Sequence, residues 1–135
     1  MRRAIVIGGT GLVGRAVARR LLAVGWTVDL AARWAERVPG DLFGDGVRFC
    51  ALDRNDHTSL DRLVGNGADL VVDCACFTAA DARGLLPVLP SVGSTVMISA
   101  KAVYLDATAR RPTAPARLPP SRSCSTMAPD HRPHR

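Results

Sequence analysis

The sequence predicts an α/β fold built on a doubly wound parallel sheet of about five strands in the order 3-2-1-4-5. Three observations predict it. Short apolar runs recur along residues 3–99, segments with helical spacing or helix-starting residues separate them, and a glycine-rich turn follows the first run. Strands that alternate with helices are typical of a parallel sheet covered on both faces. Right-handed crossovers favour this strand order.

The apolar runs predict five strands, at residues 3–8, 27–32, 47–52, 69–73 and 94–99. A first helix is predicted over residues 12–24, where one apolar face recurs at helical spacing through Val13, Val17, Leu21 and Val24. Gly25 follows at the position where a glycine commonly ends a helix.

Two later helices are predicted from their first residues. Thr58-x-x-Asp61 and Thr78-x-x-Asp81 have the spacing of a capping box, in which side chains satisfy the backbone amides at a helix start. The first box would open a short helix that ends near Gly65. Asp56, just before it, suits a helix cap or a first-turn acid.

Length and composition indicate one globular domain. The chain has 135 residues, of which 47% are apolar and 22% charged, ordinary values for a protein that buries a core. Its apolar runs are too short for a membrane span or a signal-peptide core, so we expect neither membrane insertion nor export. The cysteines at positions 50, 74, 76 and 124 lack CxxC spacing, which predicts free thiols in the cytoplasm.

The composition changes near Tyr104. Residues 105–135 hold six arginines and two aspartates, and so contribute most of the net charge of +6. Arg, Pro, Ser and Ala dominate there without an apolar period, which predicts disorder. We therefore expect a domain over residues 1–104 and a disordered Arg/Pro-rich tail over residues 105–135. The tail has no aromatic residue for base stacking, so a disordered appendage is favoured over a nucleic-acid-binding segment.

The clearest functional signal is the spacing Gly8-x-x-Gly11-x-x-Gly14 between the first strand and the first helix. In a Rossmann-like fold such glycines give a tight turn, let the backbone approach a pyrophosphate and let the helix pack on the strand. The amides at the helix N-terminus then face the anion. The alternative is a glycine turn that binds no nucleotide. The strand before the turn and the helix after it favour a dinucleotide.

With these residues the sequence resembles a known family. Residues 7–14, Ile-Gly-Gly-Thr-Gly-Leu-Val-Gly, resemble the cofactor loop of the NAD(P)-dependent epimerase/dehydratase family, the extended and atypical short-chain dehydrogenases/reductases. Three further segments match in order: the acidic turn at residues 52–56, the end of strand four at residues 71–76, and strand five at residues 96–104. The resemblance covers residues 1–104.

The resemblance implies a set of cofactor contacts. The loop would contact the cofactor, and its backbone at residues 11–13 would hold the pyrophosphate; the loop residues are Gly8, Thr10, Gly11, Leu12, Val13 and Gly14. Asp53 would accept a hydrogen bond from the adenine amino group, and Ala75 would line the cofactor. Asp53 can also be a solvated turn residue or a helix-capping carboxylate. Cys74 and Cys76 suit buried packing, because two cysteines do not complete a tetrahedral zinc site. No metal site is predicted.

The tip of strand two favours NADP over NAD, with NAD as the alternative cofactor. NAD-binding folds place an acid there for the ribose hydroxyls, but this sequence has Ala-Ala-Arg-Trp at residues 31–34. Asp29 lies too early and Glu36 too late. Arg33 can pair with a 2′-phosphate through its forked donors. It can also be an ordinary solvated loop arginine.

The family's catalytic residues have no counterparts at the matching positions. The resemblance implies a tyrosine with a lysine four residues later on the same helix face. Here Lys101 precedes Tyr104 by three residues. Ala100 stands where the family has Ser or Thr, and Ser99 beside it would point to the opposite face of a strand. We therefore assign no catalytic residue.

Three functional hypotheses follow. The first is the cofactor-binding portion of an NADP-dependent oxidoreductase or sugar-nucleotide epimerase whose reading frame is truncated or shifted near Tyr104; a small-molecule substrate would then bind only a full-length relative. The second is a non-catalytic NADP-binding sensor or regulator. The third, less favoured, is nucleic-acid binding through the basic tail. Hydride transfer, binding without turnover, and salt-dependent DNA binding would distinguish them.

Overall fold

The computed structural model describes residues 1–34, 37–42, 44–65 and 67–99. Five strands lie within them: β1 Arg3–Ile7, β2 Thr27–Ala32, β3 Val47–Ala51, β4 Ala68–Asp73 and β5 Val92–Met97. All neighbours pair in parallel, in the order β3-β2-β1-β4-β5. The predicted fold class and strand order are confirmed. The predicted tail, with Ala100, Lys101 and Tyr104 before it, lies outside the described residues.

Helices connect the strands. α1 spans Leu12–Ala23 after β1, α2 spans His57–Val64 after β3, and α3 spans Ala79–Leu85 after β4. Short 3-10 helices occupy Gly40–Leu42 before β3 and Leu86–Ser91 before β5. In the described part of the chain no helix is long and apolar enough to cross a membrane.

The sheet buries apolar side chains on both faces, because successive residues of a strand point to opposite sides. One face packs against α1 and the 3-10 helix at residues 40–42, through Val6, Val28, Leu30, Ala18 and Leu42. The other packs against α2 and α3, through Ile5, Ile7, Ala31, Leu60, Val64 and Leu85. Burial on both faces explains why the central strand β1 is a continuous apolar run.

α1 packs through a face that overlaps the predicted one only in part, since Val17 and Leu21 of the predicted stripe pack against the core. Its buried residues are Gly14 and Ala18, whereas Val13 and Val24 of the predicted stripe are 46% and 53% exposed. The helix turns its smallest side chains to the sheet, which allows a close approach. An apolar periodicity detects large residues only, so the predicted face is rotated from the true one.

The fifth strand begins earlier than expected. β5 starts at Val92 and ends at Met97, so the predicted span of residues 94–99 is two residues late, and Ser99 follows the strand. The early start includes Gly93, where an added Cβ would lie 2.9 Å from the Asp69 carbonyl oxygen of β4. The missing side chain at Gly93 therefore permits close pairing of β5 with β4.

The two predicted capping boxes have different outcomes. At α3 the Thr78 side chain accepts the Asp81 backbone N–H at 3.1 Å, and Asp81 accepts the Thr78 N–H at 2.8 Å, so the box is confirmed. At α2 the box is wrong. Asp56 is the N-cap and accepts the Thr58 backbone N–H at 3.1 Å, which confirms the alternative assignment of Asp56 as a cap.

A charge cluster lies at the amino end of the sheet. Asp29 on β2 is 6% exposed and accepts hydrogen bonds from Arg3 Nε and Arg48 Nε, each at 2.9 Å. Arg3 also donates to the Leu63 carbonyl oxygen of α2 at 2.7 Å. Both carboxylate oxygens of Asp29 thus accept hydrogen bonds from arginines, three residues before the end of β2 at Ala32.

Candidate functional site

A cleft of about 380 Å³ opens at the carboxyl ends of β1, β2, β3 and β4. In this sheet the winding reverses between β1 and β4. Ligands of open α/β sheets bind outside the strand ends at such a switch point. The volume falls within the roughly 300–1,000 Å³ of typical ligand pockets.

The cleft brings together four of the segments that the sequence singles out. Six of the nine predicted cofactor-binding residues line it: Gly8, Thr10, Gly11, Arg33, Asp53 and Ala75. The other three, Leu12, Val13 and Gly14, form the first turn of α1 directly after Gly11 and do not line the cleft. The contact predicted for these three residues is made by their backbone amides, so their side chains need not line the cleft.

Backbone hydrogen bonds fix the glycine turn. The amides of Gly8 and Gly9 donate to the Ala31 carbonyl oxygen of β2 at 2.8 and 3.3 Å, and the Gly11 amide donates to the Gly8 carbonyl oxygen at 3.0 Å. Gly8 has a φ of +76°, which favours glycine. At Gly14 an added Cβ would lie 2.8 Å from the Gly9 Cα. The glycine at position 14 therefore permits α1 to start against the turn.

The N-terminus of α1 has no side-chain cap. Its N-cap is Gly11, and the described residues supply no side-chain hydrogen bond there and no acidic residue in the first turn. The Arg15 amide donates to the Gly11 carbonyl oxygen at 2.9 Å, so the amides of residues 12–14 have no acceptor within the helix. These amides, with the partial positive charge of the helix end, favour an anion.

Asp53 lies exposed in the turn after β3. Its Oδ1 accepts the Asn55 backbone N–H at 3.0 Å, and its carbonyl oxygen accepts the Asp56 N–H at 3.0 Å. None of the described residues donates a hydrogen bond to Oδ2. The turn therefore holds the carboxylate at the cleft, with Oδ2 able to accept a hydrogen bond from a ligand.

The segment after β2 adds positive charge and an aromatic ring to the cleft. Arg33 and Arg37 line it and are exposed, and Trp34 between them is 53% exposed. Of these three residues, only Arg33 is predicted from the sequence as a cofactor contact; Trp34 and Arg37 are not. The available signal is the second arginine four residues after the first.

Arg54 also lines the cleft and is not predicted from the sequence. Its side chain, 12% exposed, pairs with the fully buried carboxylate of Asp73 at the end of β4 and donates to the Asp81 carbonyl oxygen at 2.8 Å. Burial opposes the charge of Arg54, but the hydrogen bond and charge of Asp73 outweigh it and raise the pKa of Arg54. The available signal is an aspartate that ends an apolar strand, because a buried acid requires a partner.

The cysteines near the cleft are free thiols. Burial raises the pKa of both Cys74 and Cys76, which favours the neutral thiol over the thiolate that binds metals. Across the described ranges no three His, Cys, Asp or Glu side chains form a candidate metal site. Cys74 packs against the core on the α1 face.

A larger groove, of about 780 Å³, lies beside β3 and the end of α2. Arg3 and Arg48 border it, and both already pair with Asp29. The groove contains neither the glycine turn nor an uncapped helix start. The smaller cleft is therefore the candidate site.

Comparison with known families agrees with this geometry. Residues 4–114 match the NAD dependent epimerase/dehydratase family. The chain belongs to this family. The match continues past residue 104, where the sequence motifs quoted above end. A comparison with curated proteins gave no match.

Solved structures share the fold. A wide-type short-chain dehydrogenase/reductase from Veillonella parvula, in complex with NADP, has a TM-score of 0.65 at 16% identity, over 73% of this chain and 47% of its own. Uronate dehydrogenase from Agrobacterium tumefaciens has a TM-score of 0.59 at 21% identity, over 76% of this chain and 42% of its own. The Bordetella bronchiseptica enzyme WbmH, in complex with NAD+, has a TM-score of 0.56 at 19% identity, over 66% of this chain and 35% of its own. The chain spans less than half the length of each.

Proposed function

We propose that this epimerase/dehydratase-family chain binds NADP(H) in the cleft at the carboxyl end of its sheet, as the cofactor-binding portion of an oxidoreductase or epimerase. The observation that carries the proposal is the uncapped N-terminus of α1. It follows the glycine turn and opens beside a cleft of suitable volume at the switch point of the sheet.

The residues present fit a dinucleotide. An added Cβ at Gly11 would meet only the Gly8 carbonyl oxygen, at 3.3 Å, so the missing side chain leaves space on the cleft side for a pyrophosphate. The resemblance assigns the pyrophosphate to the backbone of residues 11–13, but the Gly11 amide already donates to the Gly8 carbonyl oxygen, so the amides of residues 12–14 would hold that group. Asp53 Oδ2 would accept a hydrogen bond from the adenine amino group, and Ala75 would line the cofactor. When bound, the cofactor supplies hydride transfer.

Arg33 supports NADP over NAD. It follows β2 at the cleft, with Arg37 also lining it, and guanidinium groups pair well with a phosphate. Asp29, the acid within β2, pairs with Arg3 and Arg48 and does not line the cleft, so we assign it no role toward the ribose hydroxyls. Of the similar structures named above, one is a complex with NADP and another a complex with NAD+, so they do not decide between the two cofactors.

The proposal extends to what this chain does by itself. Residues 1–104 form the cofactor-binding domain, with residues 105–135 as a tail, and the free cysteines suit the cytoplasm. The sequence contains no Tyr-x-x-x-Lys pair. A hydride-transfer site needs a proton relay and a donor for the developing alkoxide. We therefore expect cofactor binding without turnover, which equally fits a non-catalytic NADP-binding regulator.

The test is titration of the purified, monodisperse full chain with NADPH and NADH, followed by assays of NADPH oxidation with aldehydes, ketones and nucleotide sugars. The expected result is saturable binding, tighter for NADPH, with no turnover. Absence of binding to either dinucleotide would contradict the proposal. Saturable turnover would contradict the non-catalytic part and show that other residues carry the chemistry.

A further inference from the structure

Arg54 joins two of the loops that line the cleft, the turn after β3 and the segment between β4 and α3. It stands in the turn after β3, one residue after Asp53. Its Nη2 pairs with Asp73 Oδ2, and its Nε lies 3.4 Å from Asp73 Oδ1. The same Nη2 donates to the Asp81 carbonyl oxygen at 2.8 Å, and Nη1 lies 3.5 Å from Asp81 Oδ1. One planar group thus contacts the end of β4 and the first turn of α3.

The two aspartates in turn hold the backbone of the segment between β4 and α3. Asp73 Oδ1 accepts the Ala75 N–H at 2.9 Å. Asp81 Oδ2 accepts the N–H groups of Phe77 at 3.0 Å and Thr78 at 2.8 Å. Three amides of residues 75–78 therefore depend on two carboxylates that share a single cation.

This arrangement does more than add stability. Asp73 is fully buried and Arg54 nearly so, and the loss of water around a buried ion pair offsets much of its attraction. A pair of apolar residues would stabilise this site about as well. An apolar pair would not orient the Asp73 carboxylate that accepts the Ala75 N–H. It also would not fix the distance between that carboxylate and the turn that carries Asp53.

We infer that Arg54 is a positioning residue of the cleft: it sets the segment at residues 75–78 relative to the turn that carries Asp53, through Asp73 and Asp81. This inference rests on the proposed function. Lysine cannot replace arginine there, because a single ammonium does not reproduce the planar fork that reaches both partners.

The experiment compares Arg54→Lys with Arg48→Lys in the full chain. Arg48 also pairs with a buried aspartate, Asp29, but at the amino end of the sheet, so it controls for the loss of an arginine–carboxylate fork away from the cleft. Both variants keep their charge, which avoids leaving a buried carboxylate without a cation. NADPH affinity is measured well below the thermal midpoint, together with backbone amide exchange at Ala75, Phe77 and Thr78.

We expect Arg54→Lys to remain folded, to bind NADPH about tenfold more weakly, and to exchange these three amides faster. Arg48→Lys should match the wild type in both measurements. Wild-type affinity in Arg54→Lys, with unchanged exchange, overturns the positioning role while the proposed function stands. Equal weakening in both variants overturns it too, because the effect would not be local. If the wild-type chain binds no dinucleotide, both the proposed function and this inference fail.

Discussion

The start of α1 and the starts of α2 and α3 solve the same physical problem in opposite ways. Every helix begins with backbone amides that have no acceptor within the helix. At α2 and α3 the side chains of Asp56 and Thr78 supply acceptors. At α1 the N-cap is Gly11, and no side-chain cap is formed by the described residues. The difference is that the start of α1 leaves its backbone amides available to a ligand, which the proposed phosphate site requires.

The largest expected effect comes from making α1 resemble α2. Gly11→Asp supplies a capping carboxylate at an N-cap with extended backbone (φ −76°, ψ 168°), where the added Cβ lies 3.3 Å from the Gly8 carbonyl oxygen and requires a small shift of the turn. We expect NADPH binding to fall below detection, because the carboxylate occupies the phosphate space and repels the anion. The thermal midpoint should not fall. Calorimetric titration and a thermal melt measure the two effects.

Gly44→Asp is the matched control for that experiment. It makes the same change of charge at a glycine with nothing within 4 Å of an added Cβ. Its NADPH affinity should equal that of the wild type. Undiminished binding by folded Gly11→Asp would show that the α1 start is not the phosphate site.

The next largest effect concerns Arg33, which lines the same cleft after β2. Arg33→Ala should weaken NADPH binding by roughly ten- to hundredfold, since a hydrogen bond to a charged group contributes about 1.5–3 kcal/mol. NADH binding should change little. Paired titrations of both cofactors check this, with Arg62→Ala on α2 as a control that lies outside the cleft. Equal affinity of the wild type for NADPH and NADH would contradict the assignment.

The sequence predicts the fold well because the fold depends on residues whose pattern is local. The apolar runs identify five strands, and alternation with helices determines their order. Boundaries are predicted less well where small residues decide the packing. Gly93 lies within β5 because it allows close approach to β4, and Gly14 and Ala18 turn the face of α1. A periodicity of large apolar residues contains no information about such contacts.

The candidate site is predicted where backbone chemistry forms it and missed where distant side chains meet. Gly8, Gly11 and Asp53 belong to short local motifs, and all line the cleft. Arg54 pairs with Asp73, nineteen positions later in the chain. Only folding brings these two together, so the sequence indicates that Asp73 needs a partner without indicating which residue supplies it.

The capped helices give a smaller, purely structural effect. Thr78→Ala removes the cap of α3 and should lower the free energy of unfolding by about 1 kcal/mol. Thr58→Ala is the control, because sequence spacing places a cap there while the structure uses Asp56 instead. That control should change stability by less than about 0.5 kcal/mol. Urea denaturation of both variants measures the difference. Equal losses would contradict the assigned caps.

The smallest expected effect is the pH dependence of the α2 cap. The Ser59 hydroxyl, followed by the backbone amides of Ser59 and Thr58, holds the pKa of Asp56 below its ordinary value. A carboxylate whose pKa is lower in the folded state stabilises that state above the unfolded pKa, about 3.9. The contribution is lost as pH falls from there through the folded pKa.

Asp56→Asn keeps the shape of the cap but not its charge. The stability of the wild type should therefore exceed that of the variant at pH 7, and the gap should shrink below about pH 4. Asp81 also has a lowered pKa, mainly through Thr78, but it is present in both proteins, so its titration cancels in the difference. Urea denaturation at a series of pH values measures the gap, and a gap that stays constant from pH 7 to pH 3 would show that the charge of Asp56 contributes nothing to the cap.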